Sequence, residues 1–243
     1  MIRTAYIFLW VVLSTLILGI LAIIISFFSR TGNIVHLIAR IWGRGILLIS
    51  RIKVSVQGLS NIDPLGSYIY MSNHQSNFDI PVLLAHLPVQ FRWLAKAELF
   101  KIPIFSRAMR GAGYIRIDRF NRESAIASLK EAAVKMQNGV SVMMFPEGTR
   151  SRDGNIRPFK KGGFVMAVDT GFPIVPVIVK GTWPIMDKSS WRINTGEVSL
   201  HIEKPIDTTG YTRETKDELI ETVRSVICRG FEMREKRFNR VNS

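Results

Sequence analysis

The sequence predicts an α/β protein: a mixed, mostly parallel central sheet of about six or seven strands flanked by helices, preceded by an N-terminal membrane-associated two-helix segment. Three observations predict it. From residue 52 onward, runs of β-branched and aromatic residues alternate with runs whose apolar positions recur every three or four residues. Residues 5–28 form 24 consecutive positions without a charge. Polar clusters follow the strand-like runs at once, which is where α/β sheets place their chemistry.

The uncharged run exceeds the roughly 20 residues a membrane helix needs. A signal peptide would have a shorter apolar core, of about 7–15 residues, and a small-residue cleavage site, which residues 26–30 do not offer. Residues 33–50 predict a second, basic amphipathic helix, with His36, Arg40, Arg44 and Arg51 at helical spacing among apolar neighbours. Two arrangements fit: the first helix spans the bilayer, or the two form a hairpin in one leaflet. Arg30, Arg40, Arg44, Arg51 and Lys53 follow the apolar run with no acid among them, and only Arg3 precedes it. The positive-inside bias therefore puts the C-terminal bulk in the cytoplasm. Residues 1–50 read as the membrane-anchoring helices and 51–243 as the globular α/β domain.

Within that domain, residues 52–56, 67–71, 91–95, 114–118, 140–145, 174–179 and 198–202 read as strands. Pro176 predicts an edge or a bulge. Helices are expected at 80–86, 103–110, 122–138, 164–170 and 212–238, with Ile220, Val223, Ile227 and Phe231 as the apolar stripe of the last. Asn138-Gly139 and Gly171 supply helix stops.

The polar heptad Asn73-His74-Gln75-Ser76-Asn77-Phe78-Asp79 stands where a buried strand ends and a helix begins. A neutral imidazole takes a proton from an alcohol near pH 7, provided that an acceptor holds its other ring nitrogen. Asp79 is at a spacing that lets it return to His74 across such a turn. The plainer reading, in which both residues only cap the helix, accounts for the same spacing. A second constellation, Phe145-Pro146-Glu147-Gly148-Thr149-Arg150-Ser151, follows another strand. Arginine grips phosphate bidentately. Arg116, Arg119, Arg157, Lys160 and Lys161 add charge nearby, and a solvated basic surface is their bland explanation.

The chain carries 33 Lys and Arg against 19 Asp and Glu, a net charge of +14. That balance favours polyanions: nucleic acid, anionic lipid surfaces or phosphorylated substrates. The basic residues are not interleaved with aromatics as single-strand binders require, so no nucleic-acid partner is expected. A single Cys228 excludes an internal disulfide and reads as packing. The four histidines, at 36, 74, 86 and 201, lack zinc-ligand spacing, so no metal is expected. There is no G-x-G-x-x-G after a strand and no P-loop.

The heptad, then Gly113-Tyr114-Ile115-Arg116-Ile117-Asp118-Arg119, then the Phe145–Ser151 block, then Val175-Pro176-Val177, resemble in order and spacing the glycerolipid acyltransferase family. Within it the chain is most similar to the bacterial 1-acylglycerol-3-phosphate acyltransferases. The resemblance covers roughly residues 50 to 205. It implies an enzyme that moves an acyl group from acyl-CoA or acyl carrier protein to the sn-2 hydroxyl of lysophosphatidate, giving phosphatidic acid. It implies His74 as general base and Asp79 as its orienting carboxylate. Arg150 and Arg119, with Arg116 and Lys160, would hold the acceptor phosphate. Asn73, Glu147, Gly148 and Thr149 would support them, Glu147 by organising the turn or contacting the glycerol. Backbone N–H groups near the heptad or Gly148 would serve the oxyanion. No cofactor is implied beyond the thioester co-substrate. The implied setting is the inner membrane, with membrane lipid, the anionic leaflet and acyl carrier protein or acyl-CoA as partners. The alternatives are a related enzyme with another acceptor (glycerol-3-phosphate, another lysophospholipid or a lyso-aminolipid), a hydrolase, and a non-enzymatic basic membrane binder.

Overall fold

The computed structural model describes residues 1–29 and 31–241, with side chains as far as Met233. Arg30, counted among the basic residues above, lies outside the described residues. The helices are α1 (Ile2–Ser26), α2 (Asn33–Ile49), α3 (Asp79–His86), α4 (Pro103–Gly111), α5 (Arg122–Gln137), α6 (Gly162–Thr170) and α7 (Lys216–Val241). The strands are β1 (Ile52–Gln57), β2 (Ile69–Ser72), β3 (Phe91–Lys96), β4 (Ile115–Ile117), β5 (Ser141–Met144), β6 (Ile174–Lys180) and β7 (Gly196–Ile202).

The seven strands lie in the order β1-β7-β6-β2-β5-β3-β4. Every neighbouring pair is parallel except β6–β7. The expected fold class therefore holds. Its cause is visible in β6, whose residues are all apolar up to Val179 and buried on both faces. Val175, Val177 and Val179 join the core with α2 and α3, whereas Ile174 and Ile178 join the core with α5, α6 and α7. Pro176 sits in this interior strand, not at an edge. Val177 pairs with Ile202, yet Ile174 bridges Ile206, so the partner chain carries one extra residue opposite the proline. That bulge absorbs the missing donor.

Helix α1 is long and apolar enough to cross a membrane, and only 17 % of its most apolar window is buried. It nevertheless runs along the domain instead of standing away from it. Near its start, Arg3 donates to the Ile193 carbonyl at 3.1 Å. In its middle, Trp42 Nε1 of α2 donates to Thr15 Oγ1 at 3.0 Å. At its end, a Cβ on Gly111 of α4 would lie 2.6 Å from Ser26 Cβ, so only glycine permits that approach.

Helix α2 departs from expectation. Its basic stripe turns inward in the first half only: His36 is fully buried, with Nδ1 3.0 Å from the Tyr114 hydroxyl, and Arg40 is half-buried, whereas Arg44 and Arg51 stay exposed. Arg44 Nε reaches the Ala85 carbonyl at 3.4 Å. Gly43 lets Pro81 and Leu84 of α3 approach closely, which turns this side inward. Ile34, Leu37, Ile41 and Leu48 are exposed instead, and extend the apolar surface of Leu9, Leu13, Ile17 and Ile24 on α1.

Candidate active site

The carboxyl ends of five neighbouring strands meet at one edge of the sheet. β2 leads to His74, β5 to Glu147 and Arg150, β3 ends in Lys96, β4 leads to Arg119, and β6 leads to Thr182. Parallel strands run their ends to the same side, so residues far apart in sequence converge there.

His74 Nδ1 lies 2.8 Å from Asp79 Oδ2. The same carboxylate oxygen accepts the N–H groups of Gln75 at 2.7 Å and Ser76 at 2.8 Å. Its other oxygen accepts the Thr182 hydroxyl at 2.5 Å. Asp79 is fully buried and opens α3, where the helix N-terminus also favours its charge. It both closes the turn and holds the imidazole, so the capping and orienting readings coexist. The His74 ring stacks on Phe145 with centroids 3.8 Å apart. Burial pushes its pKa below the ordinary 6.5; Asp79 opposes that shift, while Arg150 and Lys96 add to it. The resting imidazole is neutral at pH 7, with Nε2 left to accept a proton.

Glu147 organises the turn. Its Oε1 accepts the His74 N–H at 2.7 Å and its Oε2 the Arg157 N–H at 2.8 Å. Burial raises its pKa to about 7. Gly148 makes the following turn at φ 75°, with the Lys160 side chain packed over it. Asn73 ties β2 to β6 through two 2.8 Å bonds with Val179. Thr149 Oγ1 accepts from Lys188 Nζ at 3.1 Å.

A cavity of about 330 Å³ opens beside His74. Its polar end is lined by His74, Asn77, Lys96, Arg119 and Arg150. Its remaining wall is apolar and includes Leu18, Gly19 and Ala22 of α1, Trp42 of α2 and Met109 of α4. The structure thus gathers His74, Asp79, Arg119 and Arg150 as the sequence reading grouped them. It does not bring Arg116 or Lys160 into this lining: both are exposed, because Arg116 alternates outward from Ile115 on β4 and Lys160 lies over Gly148. Four of the N–H groups in the region nominated for the oxyanion are already engaged. The His74 N–H goes to Glu147, those of Gln75 and Ser76 to Asp79, and that of Gly148 to the Phe145 carbonyl at 3.0 Å.

Sequence reasoning missed Lys96, Thr182 and Lys188. Lys96 had a usable signal, a cation at a strand's carboxyl end. Thr182 had none, being 103 residues from Asp79.

A buried imidazole held by a carboxylate, beside both a cationic cluster and an apolar cavity, suits group transfer involving an amphiphile with an anionic head. Comparison with known proteins agrees with this class. The family model described as Acyltransferase matches residues 53–180. The chain belongs to this acyltransferase family. A chloroplastic 1-acyl-sn-glycerol-3-phosphate acyltransferase of Brassica napus is 40 % identical over 173 residues, covering 70 % of this chain and 50 % of its own length. An Arabidopsis thaliana relative of the same kind is 39 % identical, again with about half its length spanned (48 %). The 1-acyl-sn-glycerol-3-phosphate acyltransferase of Haemophilus influenzae is 32 % identical over 222 residues, with 90 % of each chain covered. The crystal structure of a 1-acyl-sn-glycerophosphate acyltransferase from Thermotoga maritima superposes with a TM-score of 0.82 at 32 % identity, over 96 % of this chain and 95 % of that one.

Proposed function

We propose that this protein transfers a fatty acyl group from acyl-CoA or acyl carrier protein to the sn-2 hydroxyl of 1-acylglycerol-3-phosphate, forming phosphatidic acid. The observation that carries the proposal is His74 Nδ1 held 2.8 Å from a buried carboxylate beside a cavity that is cationic at one end and apolar along its length. His74 Nε2 takes the proton of the acceptor hydroxyl. The alkoxide attacks the thioester carbonyl, the C–O bond forms, the C–S bond breaks, and the imidazolium returns its proton to the departing thiolate. No acyl-enzyme is required. Asp79 stabilises the imidazolium. Arg119 and Arg150 bind the acceptor phosphate, with Lys96 as a further cation in the same lining. No resident metal or cofactor is part of this scheme.

The α1–α2 hairpin lies in the inner membrane from its cytoplasmic side. There its exposed apolar face meets acyl chains and the strand-end edge receives water-soluble donors. Lysophosphatidate reaches the cavity by lateral diffusion, and the net charge of +14 favours the anionic leaflet.

Replacing Arg150 by alanine is expected to raise KM for lysophosphatidate about tenfold to a hundredfold, with little change in KM for the thioester. Steady-state kinetics with each substrate varied decides this; equal damage to both KM values assigns Arg150 a structural part instead.

Cavity depth gives a second test. Ala22, Val35, Ile38 and Ala112 form a small apolar cluster at the α1–α2 end of the wall. Ala22→Phe blocks that end. Each methylene denied burial forfeits about 0.8 kcal/mol, so the preference for 16-carbon over 12-carbon acyl thioesters should fall by about tenfold or more. An unchanged chain-length profile would place the acyl chain elsewhere.

A further inference from the structure

A second cavity, of about 660 Å³, lies past the α1 end of the apolar one. The end of α1, the turn into α2 and the last turns of α4 and α5 enclose it. Its lining includes Arg92, Arg107, Arg110 and Lys135, and contains no Asp or Glu. Lys135 Nζ has Glu131, one helical turn back on α5, at 3.5 Å. Among the described residues, no carboxylate pairs with Arg92, Arg107 or Arg110.

Arg92 is the unusual member. It is 1 % exposed, and every acceptor it meets is neutral: Gln90 Oε1, the Phe91 and Thr31 carbonyls, and Asn33 Oδ1. Those bonds tie the α1–α2 turn to the sheet, but they leave a buried positive charge without a counter-charge. The cations of α4 and α5 stand near helix C-termini, where the dipole alone would favour them. That account is insufficient here. Glu131 offsets Lys135, and three helix ends carry about half a negative charge each, against the three full positive charges of the arginines.

The cavity also has a membrane-facing rim. Phe27 lines it at 82 % exposure, and Phe28 follows at 86 %. Exposed phenylalanines beside a cationic hollow match the junction of acyl chains and phosphate in a leaflet.

We propose that this cavity binds the headgroup phosphate of an anionic phospholipid, apart from the lipid that occupies the candidate active site. The inference uses the membrane placement of the hairpin given above, and none of the acyl-transfer chemistry. A headgroup seated here fixes how deeply α1 and α2 sit. It does so against α4, whose Ala108 and Met109 line the apolar cavity.

The test is binding of short-chain dioctanoyl phosphatidylglycerol to the detergent-purified full-length protein, measured calorimetrically, with dioctanoyl phosphatidylcholine and inorganic phosphate as probes in parallel. One variant is Arg107→Gln/Arg110→Gln. The control, Lys204→Gln/Arg229→Gln, removes the same charge from the β7–α7 side. Each interfacial arginine contributes on the order of fivefold, so the cavity variant should bind phosphatidylglycerol about 25-fold more weakly and the control less than about threefold. Arg150→Ala should leave this binding unchanged.

Three results overturn the proposal: equal weakening in both double variants, loss of binding in Arg150→Ala, or inorganic phosphate competing as well as the lipid. Arg110 also lies over the Phe100 ring at 5.4 Å, so the double variant could misfold. Lys135→Gln then decides by itself, with about a fivefold loss expected and unchanged binding as the contrary result. Binding is read without turnover, so it stands or falls independently of the acyl-transfer reading.

Discussion

Replacing His74 by alanine should lower kcat for acyl transfer by about 1,000-fold or more, while the protein stays folded. General-base catalysis accounts for about 10²–10⁴ of rate, and the site holds no second base in the right place. Asp79 is fully buried behind the imidazole, and Glu147 has both oxygens committed to backbone N–H groups. The fold should tolerate the change because the ring faces a cavity and its loss removes one of four donors to Asp79. Paired measurement of turnover and thermal unfolding separates the two effects. A variant that keeps its melting temperature and its activity would remove His74 from the chemistry. The pH profile gives an independent reading. Because burial holds the His74 pKa below 6.5, the base is unprotonated above that value, and the acid limb of kcat/KM should fall below pH 6.5.

Asp79→Asn should be as damaging, and in a different way. The amide keeps one acceptor oxygen and puts an NH2 group at the other position: in place of Oδ2 it sets its hydrogens against the Gln75 and Ser76 N–H groups, and in place of Oδ1 it forces the Thr182 hydroxyl to turn from donor to acceptor. Breaking a fully buried charge network costs on the order of 3–5 kcal/mol, so the melting temperature should drop. Catalysis should fall by about 10³ in the fraction that remains folded, since the imidazole loses both its tautomer and its counter-charge. Asp79 is also the one group raising the His74 pKa, so the residual acid limb should move to still lower pH. A limb that moves upward would contradict the geometry. Thr182→Val provides a milder companion: it removes one donor from Asp79 and should lower stability by about 1 kcal/mol without moving the acid limb.

Much of this arrangement was legible in the sequence, for reasons that can be stated. Strand and helix periods differ, so the seven strands and their helices announced themselves locally. His74 and Asp79 were legible because five residues of one chain segment bring them together. Arg119 and Arg150 were legible as cations just past strand ends. Strand order is another matter. Nothing in residues 174–180 says that β6 lies between β2 and β7, so Thr182 could not be matched with Asp79, and Pro176 could be assigned a bulge only as one of two options. The same limit explains α2. Periodicity shows that a helix has two unlike faces, but not which neighbour covers each. His36 and Arg40 turned inward because Gly43 admits α3. Most consequential is α1. Composition marks it as a membrane segment, yet Leu18, Gly19 and Ala22 line the cavity beside His74. The division of the chain at residue 50 therefore cuts through one cavity wall, and removing residues 1–28 would open that cavity as well as weaken membrane attachment.

The most direct test of the central claim is a thioester acyl-transfer assay on the purified full-length protein. Lysophosphatidate, glycerol-3-phosphate and lysophosphatidylethanolamine are offered as acceptors, with acyl-CoA and acyl carrier protein each as donor and His74→Ala as control. The account predicts transfer to lysophosphatidate with phosphatidic acid as product, abolished in the variant. Transfer to lysophosphatidate that persists in His74→Ala, or no transfer to any acceptor from folded protein, would contradict it.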